Sequence, residues 1–141
     1  MIDDKDMLIL EELKLNSDVT TKKLAFKLGM PQTTIHNRIK RLKKLGIIKK
    51  YVAVLDYKKL GKAITAYILV DVDYDLHYLI LKKMVPMPFV HNIVATTGPN
   101  DLMLKVVARD AGELGEIVLK KLKSIAGVRR TETLLELESV K

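Results

Sequence analysis

Apolar positions in the first 45 residues recur at three- and four-residue intervals, the spacing of a helix with one buried face. Leu8, Ile9 and Leu13, with Leu10 beside them, predict a helix over about residues 4–14. Asp3 or Asp4 can cap it, and Asp6 falls in its first turn, where a carboxylate meets the positive end of the helix dipole. Asn16-Ser17-Asp18 reads as a turn. Leu24, Ala25 and Leu28 predict a second helix over residues 21–28, with Thr20 as N-cap and Gly29 closing it. A third starts at Pro31, whose missing N–H costs nothing in the first helical position, and runs to about Leu45, where Gly46 stops it. At about 100° per residue, Ile35, Ile39, Leu42 and Leu45 form one stripe, and Thr33, His36, Asn37, Lys40 and Lys44 point away from it.

The pattern then changes. Residues 47–55 are β-branched, aromatic and partly alternating, which predicts a strand, followed by a turn or linker to Lys62. A lone strand needs a partner, and the same strand of a second copy would supply one. From residue 63 on, strands are expected over 63–72, 90–97, 102–108 and 128–137. Helices are expected over about 76–85, capped by Asp75 with Leu76, Leu79, Ile80 and Met84 inward, and over about 111–124, capped by Asp110. Pro86 and Pro88 end the first of these, Gly127 the second. The order β-α-β-β-α-β is the ferredoxin-like split motif, a four-stranded antiparallel sheet with both helices on one face. Strands one, two and four are apolar at most positions, so both sheet faces are expected to be buried, the second by another copy of the chain. The fold class is therefore α+β. A helix-turn-helix (winged-helix-like) domain over 1–50 and a strand and linker over 51–62 precede a ferredoxin-like domain over 63–141 that is expected to pair with a second copy.

Charge divides the chain at the same place. Residues 1–62 hold fifteen Lys or Arg against seven Asp or Glu, whereas residues 63–141 hold ten of each. The whole net charge of +8 thus lies in the helical part. Nothing acidic occurs between Asp18 and Asp56, and the twenty residues from Pro31 to Lys50 carry seven Lys or Arg. A solvated helix face normally mixes both signs, so this run points to a polyanion. Two helices joined by a short turn containing Gly form a helix-turn-helix pair, whose second helix reads the major groove of double-stranded DNA. Gln32, Thr33, Thr34, His36 and Asn37 at its start can donate to and accept from base edges. Lys40, Arg41, Lys43 and Lys44 toward its end suit phosphates. Arg38 lies beside the apolar stripe, where a pairing with Glu11 or Glu12 competes with a phosphate contact. RNA or an anionic membrane would also attract such charge; the membrane reading is weak because the opposite face is needed for a core.

Other chemistry is sparse. With no Cys there is no disulfide, thiolate metal site or thiol nucleophile, and His36, His77 and His91 lack ligand spacing. No catalytic constellation, cofactor motif or membrane-spanning run is present, so a non-enzymatic, cytoplasmic protein is expected. The turn Gly98-Pro99-Asn100-Asp101 is a plain hairpin turn or, at a subunit junction, a holder for a small polar ligand.

In this order and with these gaps, the residues resemble the Lrp/AsnC (feast/famine) transcriptional regulators over essentially the whole length. The similarity is carried by Asp6-x-x-Ile9-Leu10-x-x-Leu13, by Thr20-x-x-x-Leu24-Ala25, and by Thr34-Ile35-x-x-Arg38-Ile39-x-Arg41-Leu42-x-x-x-Gly46-Ile47-Ile48 with Tyr51. In the second half it is carried by Thr97-Gly98-x-x-Asp101. The resemblance implies a homodimer, often assembled into tetramers or octamers, on pseudo-palindromic DNA. It implies an amino-acid or related effector held near Thr97, Gly98, Pro99, Asn100 and Asp101. The chain departs from the family's pattern at Pro31, where a Ser cap is common, and at Pro99, which removes a donor from the turn. The main rival is an architectural nucleic-acid-binding protein with little sequence preference.

Overall fold

Asp3 opens the first helix in the computed structural model, which describes residues 1–141. Its carboxylate accepts from the Asp6 N–H at 2.9 Å while the Asp6 carboxylate accepts from the Asp3 N–H at 3.1 Å. This reciprocal capping box fixes the start of α1 (Asp4–Leu15). Thr20 accepts from the Lys23 N–H and starts α2 (Thr21–Leu28), which Gly29 ends at φ 64°, a conformation glycine adopts without penalty. Helix α3 (Gln32–Lys44) begins one residue later than expected: Pro31 occupies the N-cap position and makes no side-chain cap.

Ile9, Leu13, Leu24, Met30 and Ile35 form the core of this unit, Met1–Val54, with Val19, Ala25, Leu28, Ile39 and Ile48 packed around them. Two residues expected on its apolar faces are not there. Leu8 is 51% exposed and Leu45 54% exposed. Leu45 lies at the C-cap of α3, past the last helical turn, so the periodicity that aligns it with Leu42 no longer sets its direction.

The strand expected over 47–55 does not form. The Ile47 and Ile48 N–H groups both donate to the Leu42 carbonyl, at 3.0 and 3.2 Å, closing the end of α3 instead. Residues 49–56 have no regular structure, since the chain offers them no partner strand.

The second unit, Leu55–Lys141, contains the expected sheet. Strands β1 (Ile64–Val72), β2 (Val90–Ala95), β3 (Leu102–Ala108) and β4 (Val128–Leu135) lie in the order β2-β3-β1-β4, all antiparallel. Ala66, Ile68, Val70, Leu102, Leu104 and Val106 point to one face. There they pack on Ile80 and Met84 of α4 (His77–Met84) and on Leu114 of α5 (Ala111–Glu116). Helix α5 passes directly into a π-helical stretch, Ile117–Leu122, that continues the same apolar contact through Ile117 and Leu122. Asp110 caps α5 as expected, through the Glu113 N–H at 2.8 Å. Asp75 caps nothing: it lies inside a 3-10 turn, Tyr74–Leu76, that precedes α4. Leu79, expected inward, is exposed.

The opposite sheet face carries Val94, Met103 and Leu69 side by side across three strands, with Leu134 opposite Tyr67 on the fourth. Within one chain this face is open, and β2 and β4 are exposed at most positions. The expected burial of this face was by another copy of the chain; within one chain the edge strands β2 and β4 are largely exposed.

Candidate nucleic-acid interface and effector turn

Helix α3 presents a surface with no acid on its own sequence. Gln32, Thr33, His36, Asn37, Lys40, Lys43 and Lys44 are all exposed, while Thr34 is half-buried beside the buried Ile35. The spacing 33, 36, 37, 40, 44 keeps Thr33, His36, Asn37, Lys40 and Lys44 on one side of the helix. The Gln32 amide donates to the Thr21 hydroxyl at 3.2 Å, tying the start of α3 to the start of α2. Lys43 rests its ammonium 4.8 Å from the centre of the Tyr51 ring, a cation–π contact that holds part of the irregular segment beyond the helix against it. No ion pair engages Lys40, Lys43 or Lys44, so their charges remain available to an anion outside the chain.

The two arginines of α3 behave differently. Arg38 pairs neither with Glu11 nor with Glu12, which bind Lys14 and Lys27 instead. Its guanidinium donates to both oxygens of Asp3 at 2.8 Å and to Asp6 at 2.9 Å. Arg41, expected on phosphate, donates to the other oxygen of Asp6 at 2.6 Å and to the Met1 carbonyl at 3.0 Å. The reason is geometric. Asp3 and Asp6 lie on the first turn of α1, and the two arginines are one turn apart on α3, so the pairs stack. Asp6 is fully buried (0% exposed) and every polar side-chain atom in the interior is hydrogen-bonded. The Arg38 guanidinium beside Asp3 holds its carboxyl down at about 2, helped by the Asp6 N–H, and the two carboxylates in turn push the Arg38 pKa up.

Asp3 and Asp6 thus border the candidate interface, whereas sequence reasoning placed Asp3 only as a possible cap and Asp6 only in the first helical turn. The signal was present in the three-residue spacing of two acids facing an arginine-bearing helix. An open cleft of about 380 Å³ lined by Met1, Asp3, Asn37, Arg38 and Arg41 joins this ion-pair cluster to the candidate base-reading residue Asn37.

In the second unit, the turn from Thr97 to Asp101 leaves Thr97, Gly98 and Pro99 exposed, with Gly98 at φ 124°. Asn100, half-buried, and Asp101, itself exposed, both bond to β1. The Asp101 carboxylate accepts from the Val72 N–H at 2.9 Å, and its own N–H donates to the Val70 carbonyl at 3.1 Å. The Asn100 amide donates to the Asp71 carboxylate at 2.9 Å. The Thr96 hydroxyl donates to the Asn100 carbonyl. The turn is therefore a built element fastened to the end of β1. His91 stacks on Tyr57 with ring centres 4.6 Å apart, and His77 lies near Tyr78. No group of three or more His, Cys, Asp or Glu is placed to hold a metal ion, and no helix is long and apolar enough to cross a membrane.

Comparison with known proteins matches both units. Residues 65–141 fit the family model described as the Lrp/AsnC ligand binding domain, and residues 2–49 fit one described as winged helix-turn-helix DNA-binding. An uncharacterized HTH-type transcriptional regulator of Pyrococcus abyssi is 40% identical, the match covering 100% of this chain and 96% of that one. The HTH-type transcriptional regulator LrpA of Pyrococcus horikoshii is 30% identical over the full length of both chains. Among solved structures, Escherichia coli AsnC matches with a TM-score of 0.87 at 28% identity, covering 100% of this chain and 95% of its own. A transcriptional regulator from Neisseria meningitidis, solved as a complex with L-Met, matches with a TM-score of 0.94 at 25% identity, covering 100% of this chain and 93% of its own.

Proposed function

The chain belongs to the Lrp/AsnC family of helix-turn-helix transcriptional regulators, and from that premise we propose that α3 enters the major groove of double-stranded DNA with its N-terminal half. Gln32, Thr33, His36 and Asn37 read base edges, with Thr34 in support, and Lys40, Lys43 and Lys44 neutralise phosphates. The observation that carries this reading is the exposed face of α3, on which polar side chains lead, unpaired lysines follow, and the helix itself contributes no carboxylate. Such an order gives one end of the helix to specificity and the other to sequence-independent affinity. The protein acts as a regulator and not as an enzyme, in the cytoplasm where the chromosome is.

The working unit is a homodimer or a higher assembly of dimers. The open sheet face of Leu69, Met103, Val94 and Leu134 supports this, because an apolar face of that kind is covered in a stable protein. The residues around Tyr51, which lack a strand partner within the chain, support it as well. Two copies would set two reading helices in successive major grooves about 34 Å apart. The second unit takes an amino acid or a related small molecule at the exposed part of the turn, Thr97, Gly98 and Pro99. Asn100 and Asp101 there shape the site and hold it to β1. The complex of the Neisseria relative with L-Met makes methionine the first effector to try.

The test is selection of genomic fragments by the purified full-length protein at about 0.15 M salt, repeated with methionine and other amino acids. An enriched pseudo-palindrome with half-sites about one helical turn apart is the expected result. Retention of DNA without any motif would overturn sequence-specific reading in favour of an architectural role. A profile untouched by every amino acid would remove the effector assignment.

A further inference from the structure

We infer that Asp3 is a brake on DNA binding, a negative charge at the N-cap of α1 held against the reading helix, where it keeps Arg38 from acting as a phosphate contact. The inference rests on the DNA-binding reading above. Three features support it. First, Arg38 is a cation on the helix that carries the DNA surface, yet it is held by both oxygens of Asp3 and one of Asp6. Second, the two acids differ. Asp6 is fully buried and binds both guanidiniums, so it fixes α1 to α3. The Asp3 side chain is 52% exposed, and it adds a second partner to an arginine that Asp6 already positions. Third, Asp3, Arg38 and Arg41 line the same open cleft as Asn37, which puts this charge at the edge of the surface that DNA approaches.

Charge arithmetic gives the consequence. Two arginines and two aspartates make the cluster formally neutral. Removing the charge of Asp3 alone leaves it at +1 in each subunit, while Asp6 still holds both arginines in place. The Arg38 guanidinium, freed of one carboxylate, has N–H groups to offer a phosphate.

Asp3→Asn and Asp3→Ser test this, because Asn and Ser both keep an oxygen that caps α1. Asp4→Asn is the control. Asp4 lies on the same helical turn and is exposed, and no arginine touches it. Binding to a random duplex and to a selected site is measured against salt. Both Asp3 variants are expected to bind every duplex more tightly than wild type, with a salt dependence steeper by about 0.9 per subunit. The advantage should therefore shrink about threefold per subunit between roughly 50 and 200 mM salt. Asp4→Asn should change little, and adding Arg38→Gln to Asp3→Asn should return the affinity to the wild-type value. Wild-type affinity in the Asp3 variants would overturn the inference, as would an equal gain in Asp4→Asn. So would loss of helical circular dichroism in both Asp3 variants, which would make Asp3 a support of the fold. If wild-type protein itself retains no DNA, the functional reading fails first, and the two failures are distinct.

Discussion

Ile35 and Leu45 share one stripe in the periodicity of α3, but only Ile35 is buried, at 0% exposure against 54% for Leu45. Replacing each by Ala separates what the pattern implies from what the structure does. Ile35→Ala removes three carbons from a closed core, worth about 2.4 kcal/mol at ~0.8 kcal/mol per buried methylene. The cavity left among Ile9, Leu13, Leu24 and Met30 adds to this, and measured Ile→Ala losses span about 2–5 kcal/mol. A loss of about 3 kcal/mol is expected, which lowers the folding constant of the helical unit on the order of a hundredfold. Leu45→Ala removes a side chain already half in water at a helix end, and should cost less than about 1 kcal/mol. Amide hydrogen exchange read by mass spectrometry resolves the two units. In Ile35→Ala, protected peptides from residues 1–54 should exchange on the order of a hundredfold faster, with those from β1 and β3 unchanged. Equal losses in the two variants would refute the placement of Leu45. An equal acceleration in β1 and β3 would refute the independence of the two units.

Three further outcomes follow from the same contacts. Lys44→Ala should weaken binding to every DNA sequence alike and flatten its salt dependence by about one unit, whereas Asn37→Ala should lower discrimination among sites by ~1–3 kcal/mol where it makes a bidentate base contact; competition against random duplex checks both. Asp101→Ala leaves the Val72 N–H without its acceptor, so it should destabilise the second unit by about 1–3 kcal/mol with no ligand present. A purely effector-binding Asp101 would leave the thermal midpoint of the free protein unchanged. Asp3 titrates lower in the folded chain, about 2, than its ordinary value of 3.8. Its pairing with Arg38 therefore contributes stability that is fully present above about pH 4 and is lost as pH falls toward 2. Acid titration of wild type against Asp3→Asn should show a stability gap that is constant above about pH 4 and closes as pH falls toward 2.

Most of the architecture was legible because it is written in periodicity. Three helices, the second and third of them stopped at Gly29 and Gly46, and a split β-α-β-β-α-β unit follow from apolar spacing, caps and glycines that each act within a few residues. What was not legible depends on contacts distant in sequence. The segment after Gly46 has strand composition, but composition does not supply a partner, and Ile47 and Ile48 bond to Leu42 instead. The lysines of α3 were placed correctly on an outward face by spacing alone. The partners of Arg38 were not, because Asp3 and Asp6 are 35 and 32 residues away and the nearer-looking Glu11 and Glu12 face other lysines. Asp101 read in isolation as part of a plain hairpin turn or of a ligand holder. Only the packing of the turn on β1 shows that its carboxylate has a structural partner.

The basic run itself gains a finer meaning from these pairings. Between Asp18 and Asp56 there are ten Lys or Arg and no acid. Three of the ten find carboxylates elsewhere: Lys27 with Glu12, and Arg38 and Arg41 with the first turn of α1. The seven without an ion pair are all lysines, and both arginines are half-buried and paired within the chain. Guanidinium chemistry accounts for the division. A planar fork with several fixed donors can satisfy a buried carboxylate such as Asp6 from two sides, whereas an ammonium is a strongly hydrated point charge that loses more on burial. An outward lysine keeps its water and still neutralises a phosphate, because that contact needs charge more than direction. Exchanging the types should therefore not be neutral. Arg38→Lys preserves the charge of α3 but leaves one ammonium to serve two carboxylates, so the helical unit should lose stability, while Lys44→Arg should leave stability unchanged. If the two exchanges were equivalent in thermal unfolding, net charge alone would explain the run, and the separation into holding arginines and DNA-facing lysines would be wrong.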